Sequence, residues 1–438
     1  MQFKEGSGWK ACFDEERDLY TAQVSNRGFY ALSEIDKEAF DKLGTDGVDD
    51  LDAYLIIRNG RTLFETNDEP TTMPSYRVRD ERYQELAPWS SAERIAVKTD
   101  ALNKRCAIAN RFPGLSLAYG NTEGRISSMY FGASDLEDSK PVNGDIVFPA
   151  CSISKFITSI CVMKMHEMKI IDIDEPVNKY LISWKLLTPD GAESDAAVRS
   201  LLNHTAGIID GEDSFHGLRI GGPEVSLTDI LEGRTKYNNR PSREEKPHGT
   251  SFEYSDAGYC ILQLMMEEAT GKAFEDTVQE MLFDKLGLKD IFYATPANIE
   301  KNNRKMAAGY SEDNTPIDGK YPVIPDLAAS GLWCTPKSLI MIAEEFLKAL
   351  NGDSSVLQKG SALEMIKPAK GFPWTGLGIF LNGADILVSN GWGENGQCMM
   401  KIYKDKGEIS AVMTNMDPGV DQKESGIEWL VDSYTYFI

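Results

Sequence analysis

The sequence predicts a mixed α/β (α+β) protein in which a helical subdomain is inserted between parts of a sheet, behind a separate small module. Strand-like runs cluster in two places, just after Phe112 and again between Leu377 and Thr414. Between them, from about 170 to 350, the apolar spacing is helical and the connections are rich in Gly, Pro and Asn. Ahead of both, a polar, Pro-flanked stretch from Pro70 to Pro88 reads as a linker. A chain of 438 residues exceeds one ordinary domain. We therefore expect an accessory module over 1–100 and a main domain over 101–438.

Taking the elements in order, a helix is expected around Ser33 to Leu43. From Leu55 to Phe64, Asn59-Gly60 sits between two β-rich runs, a short-range hairpin signal. Phe112 to Tyr119, the turn Gly120 to Gly124 and Arg125 to Phe131 read as a hairpin entering a sheet. A helix follows from Ser152 to Met168, with Ile157, Ile160, Cys161 and Met165 forming an apolar stripe. Further helices are expected at Tyr259 to Ala269, Phe274 to Leu286 and Lys337 to Leu350. The end returns to strands at Leu377 to Leu381, Ile386 to Ser389, Met399 to Tyr403 and Ile409 to Thr414. A helix from about Lys423 to Tyr434 closes the chain.

A net charge of −22 and a pI near 4.7 argue against a nucleic-acid partner and against an anionic membrane surface, since both would be repelled. The start, Met-Gln-Phe-Lys-Glu-Gly, has no apolar stretch behind a basic head, and no later run is long enough to span a bilayer. The expected setting is the cytoplasm. The seven cysteines (12, 106, 151, 161, 260, 334 and 398) are widely spaced without a CxxC pair, so neither a disulfide framework nor a zinc site is indicated. His166-Glu167 lacks the second histidine of an HExxH site, and neither a GxxxxGK[ST] loop nor a dinucleotide fingerprint occurs. No metal and no cofactor is expected. A GxSxG elbow is absent, which leaves a His-based triad without its usual sequence frame.

The chemistry concentrates at Ser152-Ile153-Ser154-Lys155. Spacing of i,i+3 at a helix start brings the serine hydroxyl and the lysine amine onto one face. The positive end of the helix favours a developing alkoxide and is expected to depress the lysine pKa. A neutral lysine could then take the serine proton, replacing a Ser-His dyad. Cys151 is a rival nucleophile only if a histidine partners it.

Several segments together resemble one family. Asp145 to Thr158 with Ile171 to Leu181, then Leu201-Leu-Asn-His-Thr-Ala-Gly-Ile208, Phe283 to Asp290 and Ala329 to Thr335, are similar in order to class C β-lactamases and their penicillin-binding-protein and carboxylesterase relatives. The resemblance runs from about Phe112 to the end. It implies an antiparallel sheet covered by helices, plus a helical subdomain, with the serine at their junction. It assigns Ser152 as nucleophile, and Lys155 and Tyr254 as the proton-handling pair, because Tyr254-Ser255-Asp256 matches the family's Tyr-x-Asn. His204 falls in a family segment where a structural hydrogen-bonding role is implied.

Two positions depart from that pattern. Asp256 replaces an asparagine, and an ionised aspartate only accepts hydrogen bonds. It would either pair with Lys155, holding it charged, or bind an ammonium group of a substrate. The third motif, Lys or His, then any residue, then Gly, falls in Ser389 to Gln397. Aligning on Gly393 leaves Gly391 or Asn390 where the cation belongs, so the cation is missing. Trp392 resembles the Trp-x-Gly variant of β-lactamase-like carboxylesterases, or is a structural aromatic. On this alignment the backbone N–H groups of Ser152 and Glu394 form the oxyanion hole.

The resemblance thus implies a serine hydrolase forming a Ser152 acyl-enzyme, with transfer to a nucleophile other than water left open. A missing carboxylate anchor points to a small-molecule carboxylic ester or small amide as substrate. The alternatives are a D-amino-acid amidase or aminopeptidase, a β-lactamase or DD-peptidase, and a catalytically weak binding protein of the same fold. Nothing in the sequence specifies an oligomeric state.

Overall fold

The computed structural model of the chain describes residues 2–15, 18–26, 29–45, 47–66, 102, 104–219 and 225–433. The stretch from Pro70 to Pro88 lies outside them. The chain divides into two compact units, 1–104 with 432–438, and 105–431.

In the first unit, β1 (Gln2–Gly6), β2 (Trp9–Asp14), β3 (Leu19–Asn26), β4 (Phe29–Glu34) and β5 (Arg61–Thr66) form an antiparallel sheet in chain order. Two helices, α1 (Lys37–Lys42) and α2 (Asp50–Arg58), lie between β4 and β5. Trp9, Ala22, Val24, Phe40 and Ile57 are among the residues of the core. The hairpin expected at Asn59-Gly60 is not there. Asp49 caps α2 by accepting from the Asp52 N–H at 2.8 Å, so the Leu55-Ile-Ile run is helical. Asn59 closes that helix at φ −75°, whereas a type I′ turn needs positive φ at both central residues. The helix expected from Ser33 begins only at Lys37, because Ser33 and Glu34 finish β4 and Asp36 is the cap, accepting from Ala39 N–H at 2.7 Å.

The second unit is built on a seven-stranded antiparallel sheet in the order β12-β13-β14-β15-β6-β7-β8. Its strands are β6 (Gly114–Asn121), β7 (Ile126–Asp135), β8 (Lys140–Pro141), β12 (Phe380–Asn382), β13 (Ile386–Gly393), β14 (Gly396–Tyr403) and β15 (Glu408–Thr414). Alternation along β6 puts successive side chains on opposite faces. Tyr119 donates to the Leu430 carbonyl at 2.9 Å in the closing helix. Gly120 backs onto Ile340 so closely that a Cβ would sit 2.2 Å from its methyl group. Ile340 belongs to the helix Pro336–Asn351, so helices cover both faces of the sheet.

A smaller sheet, β10 (Ile291–Tyr293), β11 (Leu332–Cys334) and β9 (Phe148–Pro149), leads straight into helix α3 (Ile153–Glu167). The predicted stripe of α3 is buried, but so are Ile153, Phe156, Val162 and Met163, which makes this a central helix apolar nearly all round. Phe156 meets Phe346 of the Pro336–Asn351 helix edge to face, with centroids 5.3 Å apart.

Two terminal expectations shift. The strand expected from Leu377 starts at Phe380, because Gly378 turns the chain at φ +72°. The closing helix is split by Gly426 at φ +89° into Gln422–Ser425 and Ile427–Asp432. Among the described residues no helix is long and apolar enough to cross a membrane.

Candidate active site

Ser152 follows a tight turn off β9. Cys151 adopts φ +44°, a left-handed conformation that a non-glycine residue holds only when its surroundings fix it. Those surroundings are hydrogen bonds from Ala150 N–H to Leu332 O at 2.8 Å, Ser154 Oγ to Cys151 O at 2.6 Å, and Leu332 N–H to Ser154 Oγ at 3.1 Å. Ser152 sits at the N-cap of α3, yet its hydroxyl makes no cap hydrogen bond and instead accepts from Lys155. The Cys151 thiol is buried and points at the Gly396 carbonyl, 3.6 Å away, rather than at a histidine.

Lys155, one turn on, is 3% exposed. Its Nζ donates to Ser152 Oγ at 3.0 Å, Asp256 Oδ1 at 2.5 Å and Ala329 O at 3.1 Å. Three acceptors match the three protons of an ammonium, one more than a neutral amine carries. The rings of Tyr254 and Tyr259 lie 4.9 and 5.5 Å from the same nitrogen. Burial works against the charge, but Asp256, and after it Tyr254, more than offset it and hold the lysine above its ordinary range. This corrects the expectation of a depressed lysine pKa. The helix end is outweighed by a carboxylate 101 residues away in sequence. It also settles the fate of Asp256, whose carboxylate is taken by Lys155.

Tyr254 reaches Ser152 and Lys155 with its hydroxyl, lines the same cleft and is 42% exposed. Burial of the hydroxyl raises its pKa, with Lys155 pulling the other way. His204 sets its position. The His204 carbonyl accepts from Glu253 N–H at 2.8 Å and its Nδ1 from Ser255 N–H at 3.2 Å, so both neighbours of Tyr254 are pinned to one residue. Burial, then Lys155, lowers the His204 pKa to about 3, and the ring stays neutral as the acceptor that this geometry requires.

Helix α4 (Asp256–Thr270) begins at this point, capped by Ser255. Two further acids, without a motif to announce them, flank its start. Asp210 accepts from Ser255 Oγ at 2.7 Å and from Asp256 N–H at 2.6 Å. Burial, then the charge of Asp256, pushes its pKa up to about 6. Asp326 is fully buried, accepts from the Tyr237 hydroxyl, and is held well above the carboxylate range by burial and by Asp256. Only their place in the fold reveals them.

The opposite wall is the edge of β13. Gly391 packs so tightly that a Cβ would lie 2.6 Å from Ala150 O and 2.8 Å from Cys151 Cβ. Gly391, not Gly393, is therefore the glycine against the nucleophile turn, and the position of the absent cation falls on Ser389. Glu394, expected from the sequence to lend its backbone N–H to the oxyanion hole, occupies the two-residue turn between β13 and β14, three residues beyond Gly391, with its carboxylate held by Arg219 at 2.6 and 3.1 Å. Trp392 pairs with Gln397 across the hairpin, and Gln397 spends both its N–H and its C=O on Thr414 Oγ1 of β15. Residues of an antiparallel pair alternate in direction, so Trp392 N–H projects from the other edge of β13, which β12 covers only as far as Val388. The Trp392 indole is anchored to Asp417 at 2.7 Å.

Between the walls lies a cleft lined by Ser152, Lys155, Tyr254, Phe380, Ser389 and Asn390 among others. Asn390 Oδ1 is buried there without a hydrogen-bond partner among the described residues. Among the described residues no cluster of His, Cys, Asp and Glu could hold a metal ion.

This geometry can be set beside known proteins. The Beta-lactamase family matches residues 94–431. Esterase EstB of Burkholderia gladioli is 26% identical over 166 residues, which are 36% of this chain and 41% of EstB. Teichoic acid D-alanine hydrolase of Staphylococcus aureus is 24% identical over 230 residues, 52% of each chain. The chain thus spans about half the length of these curated relatives. D-amino acid amidase from Ochrobactrum anthropi, in its complex with L-phenylalanine amide, superposes with a TM-score of 0.61 over 78% of this chain and 97% of its own, at 21% identity, which shows a common fold. With its antiparallel sheet between helices and a family match over well more than half its length, the chain belongs to the Beta-lactamase family, a family of serine hydrolases.

Proposed function

We propose that this protein hydrolyses a small, neutral carboxylic ester or amide through an acyl-enzyme on Ser152. The observation that carries the reading is the convergence of Ser152, Lys155 and Tyr254 on one cleft whose strand wall has Ser389, Asn390 and Gly391 in place of a cation. Ser152 Oγ attacks the acyl carbon. Its proton passes to Lys155 as Lys155 releases one to Asp256, so the lysine stays an ammonium and the aspartate holds the proton. The oxyanion is met by the N–H groups of Ser152 and Trp392. On collapse, Tyr254 protonates the leaving oxygen or nitrogen and is reprotonated from Asp256 through Lys155. Water then repeats the sequence on the ester bond to Ser152, and an alcohol or amine in its place would give acyl transfer.

A D-amino-acid amide is the second reading, favoured by a net charge of −22 that suits a cationic amine and by the shared fold with the D-amino acid amidase. A β-lactam or DD-peptide substrate is disfavoured by the absent carboxylate anchor, and the cytoplasm remains the expected setting from the sequence. The test is turnover of p-nitrophenyl acetate and of D-amino-acid p-nitroanilides by wild type and Ser152→Ala. Ester turnover abolished in the variant is expected. Equal turnover in both would remove Ser152 from the chemistry, and no turnover of any substrate would favour a binding protein of this fold.

A further inference from the structure

We infer that the cleft carries a preformed subsite for an aromatic group of the substrate, a reading that rests on, and narrows, the proposed ester or amide hydrolysis. Five rings make one continuous wall. Phe252 lies 6.2–6.4 Å from Phe372, Trp374 and Phe380, Phe372 meets Trp374 edge to face at 5.7 Å, and Phe380 stacks over Tyr254 at 6.4 Å and 23°. Such spacings are those of paired aromatic rings, so the wall supports itself without a ligand.

A cluster serving only the core would be covered. Here Trp374 is 47% exposed and Tyr254 42% exposed, on a chain whose surface is otherwise strongly acidic. Open aromatic surface of this kind, gathered beside a nucleophile, marks a ligand groove. Phe380 joins the wall to the cleft itself, lining it together with Ser152 and Ile379.

The wall is also held in place. Trp374 O accepts from Leu381 N–H at 2.8 Å, Ala369 N–H donates to Thr375 O at 2.9 Å, and Phe372 N–H donates to Ala369 O at 2.9 Å. A rigid apolar face loses little on binding, and it favours a flat ring whose faces and edges match its own. The ring sits on either the acyl side or the leaving-group side of the scissile bond, and the assay separates the two.

The experiment compares kcat/KM for ethyl acetate, ethyl 3-phenylpropanoate and benzyl acetate in wild type and Trp374→Ala. It is paired with calorimetric binding of 3-phenylpropanamide, N-benzylacetamide and propanamide, which needs no turnover. One aromatic ester is expected to exceed ethyl acetate by about 10-fold or more, as contacts in a shaped apolar pocket do. Its identity assigns the ring to the acyl or the alcohol side. The same advantage should appear in binding of the amide that carries its ring on that side, and both should shrink toward unity in Trp374→Ala. Equal binding of all three amides would overturn the subsite whether or not esters are cleaved. Turnover of ethyl acetate with no aromatic preference would overturn it while leaving the hydrolase reading intact. Tight phenyl binding without turnover of any ester would uphold the subsite and remove the hydrolase.

Discussion

On the helical side of the cleft every proton has a place, whereas the strand side offers open edges. Lys155 spends three donors on three acceptors, Asp256 is engaged by Lys155, and His204 fixes both neighbours of Tyr254. Across from it, the Trp392 N–H projects from an edge of β13 that β12 leaves uncovered, the Asn390 side-chain oxygen has no hydrogen-bond partner among the described residues, and beyond them lie the exposed rings of Trp374 and Tyr254. The difference teaches a division of labour. On the proposed mechanism the helical side moves protons and must be built to a tolerance of tenths of an ångström before substrate arrives, because a misplaced relay forfeits catalysis. The strand side, proposed to select substrate, leaves the Asn390 oxygen without a partner among the described residues.

If that division holds, damage to the helical side should hit turnover hardest. Replacing Lys155 by Met removes the relay and leaves Asp256 without its cation. Ester kcat is expected to fall about 10³-fold, measured with p-nitrophenyl acetate, while the adduct-forming serine stays in place. A loss under tenfold would mean that Tyr254 alone handles the proton.

Asp256→Asn probes the same wall more sharply. Without a carboxylate to take its proton, Lys155 must lose one to solvent. Turnover at pH 7 should drop about 10²-fold and then climb with pH as the lysine becomes neutral, a climb the wild type lacks. An unchanged rate at pH 7 would strip Asp256 of its role as acceptor.

The strand side should instead change preference. Ser389→Lys places a cation in the cleft beside Ser152, at the position where the family carries one, and the selectivity of the variant for a carboxylate-bearing ester over its neutral counterpart should rise about tenfold. Unaltered selectivity would mean that this edge does not read the substrate.

The smallest effect concerns Asp210. Its folded pKa of about 6 lies above the unfolded value of about 3.9. It therefore contributes stability that is full below pH ~4 and is lost as pH rises through about 6. Asp210→Asn should flatten that decline, by roughly 1–2 kcal/mol between pH 4 and 7 in urea unfolding. Parallel wild-type and variant profiles would show that Asp210 is ionised throughout.

Sequence reasoning reached the elements whose signals are local. The β6–β7 hairpin, α3, the Pro336–Asn351 helix, β14 and β15 each carry their own period and turn residues, and each stands where those signals put it. Asn59-Gly60 misled because the same dipeptide closes a helix as readily as it turns a hairpin, and Asp49, ten residues earlier, decides between them. At the site, the Ser152–Lys155 spacing was legible because both residues share one helical turn. The charge on Lys155 was not, since it depends on Asp256 and on a carbonyl at Ala329, brought in by tertiary packing. Gly391, Gly393 and Gly396 left the strand register ambiguous by two residues, and only contact with Ala150 and Cys151 resolves it. Asp210 and Asp326 belong to no spacing rule, and burial alone distinguishes them.

The central claim, that Ser152 is a nucleophile primed by its neighbours, is tested most directly by intact-protein mass after exposure to a fluorophosphonate, with wild type and Ser152→Ala side by side. One adduct per chain in wild type and none in the variant is the predicted result. An adduct that persists in Ser152→Ala, or an unmodified, folded wild type, would contradict it.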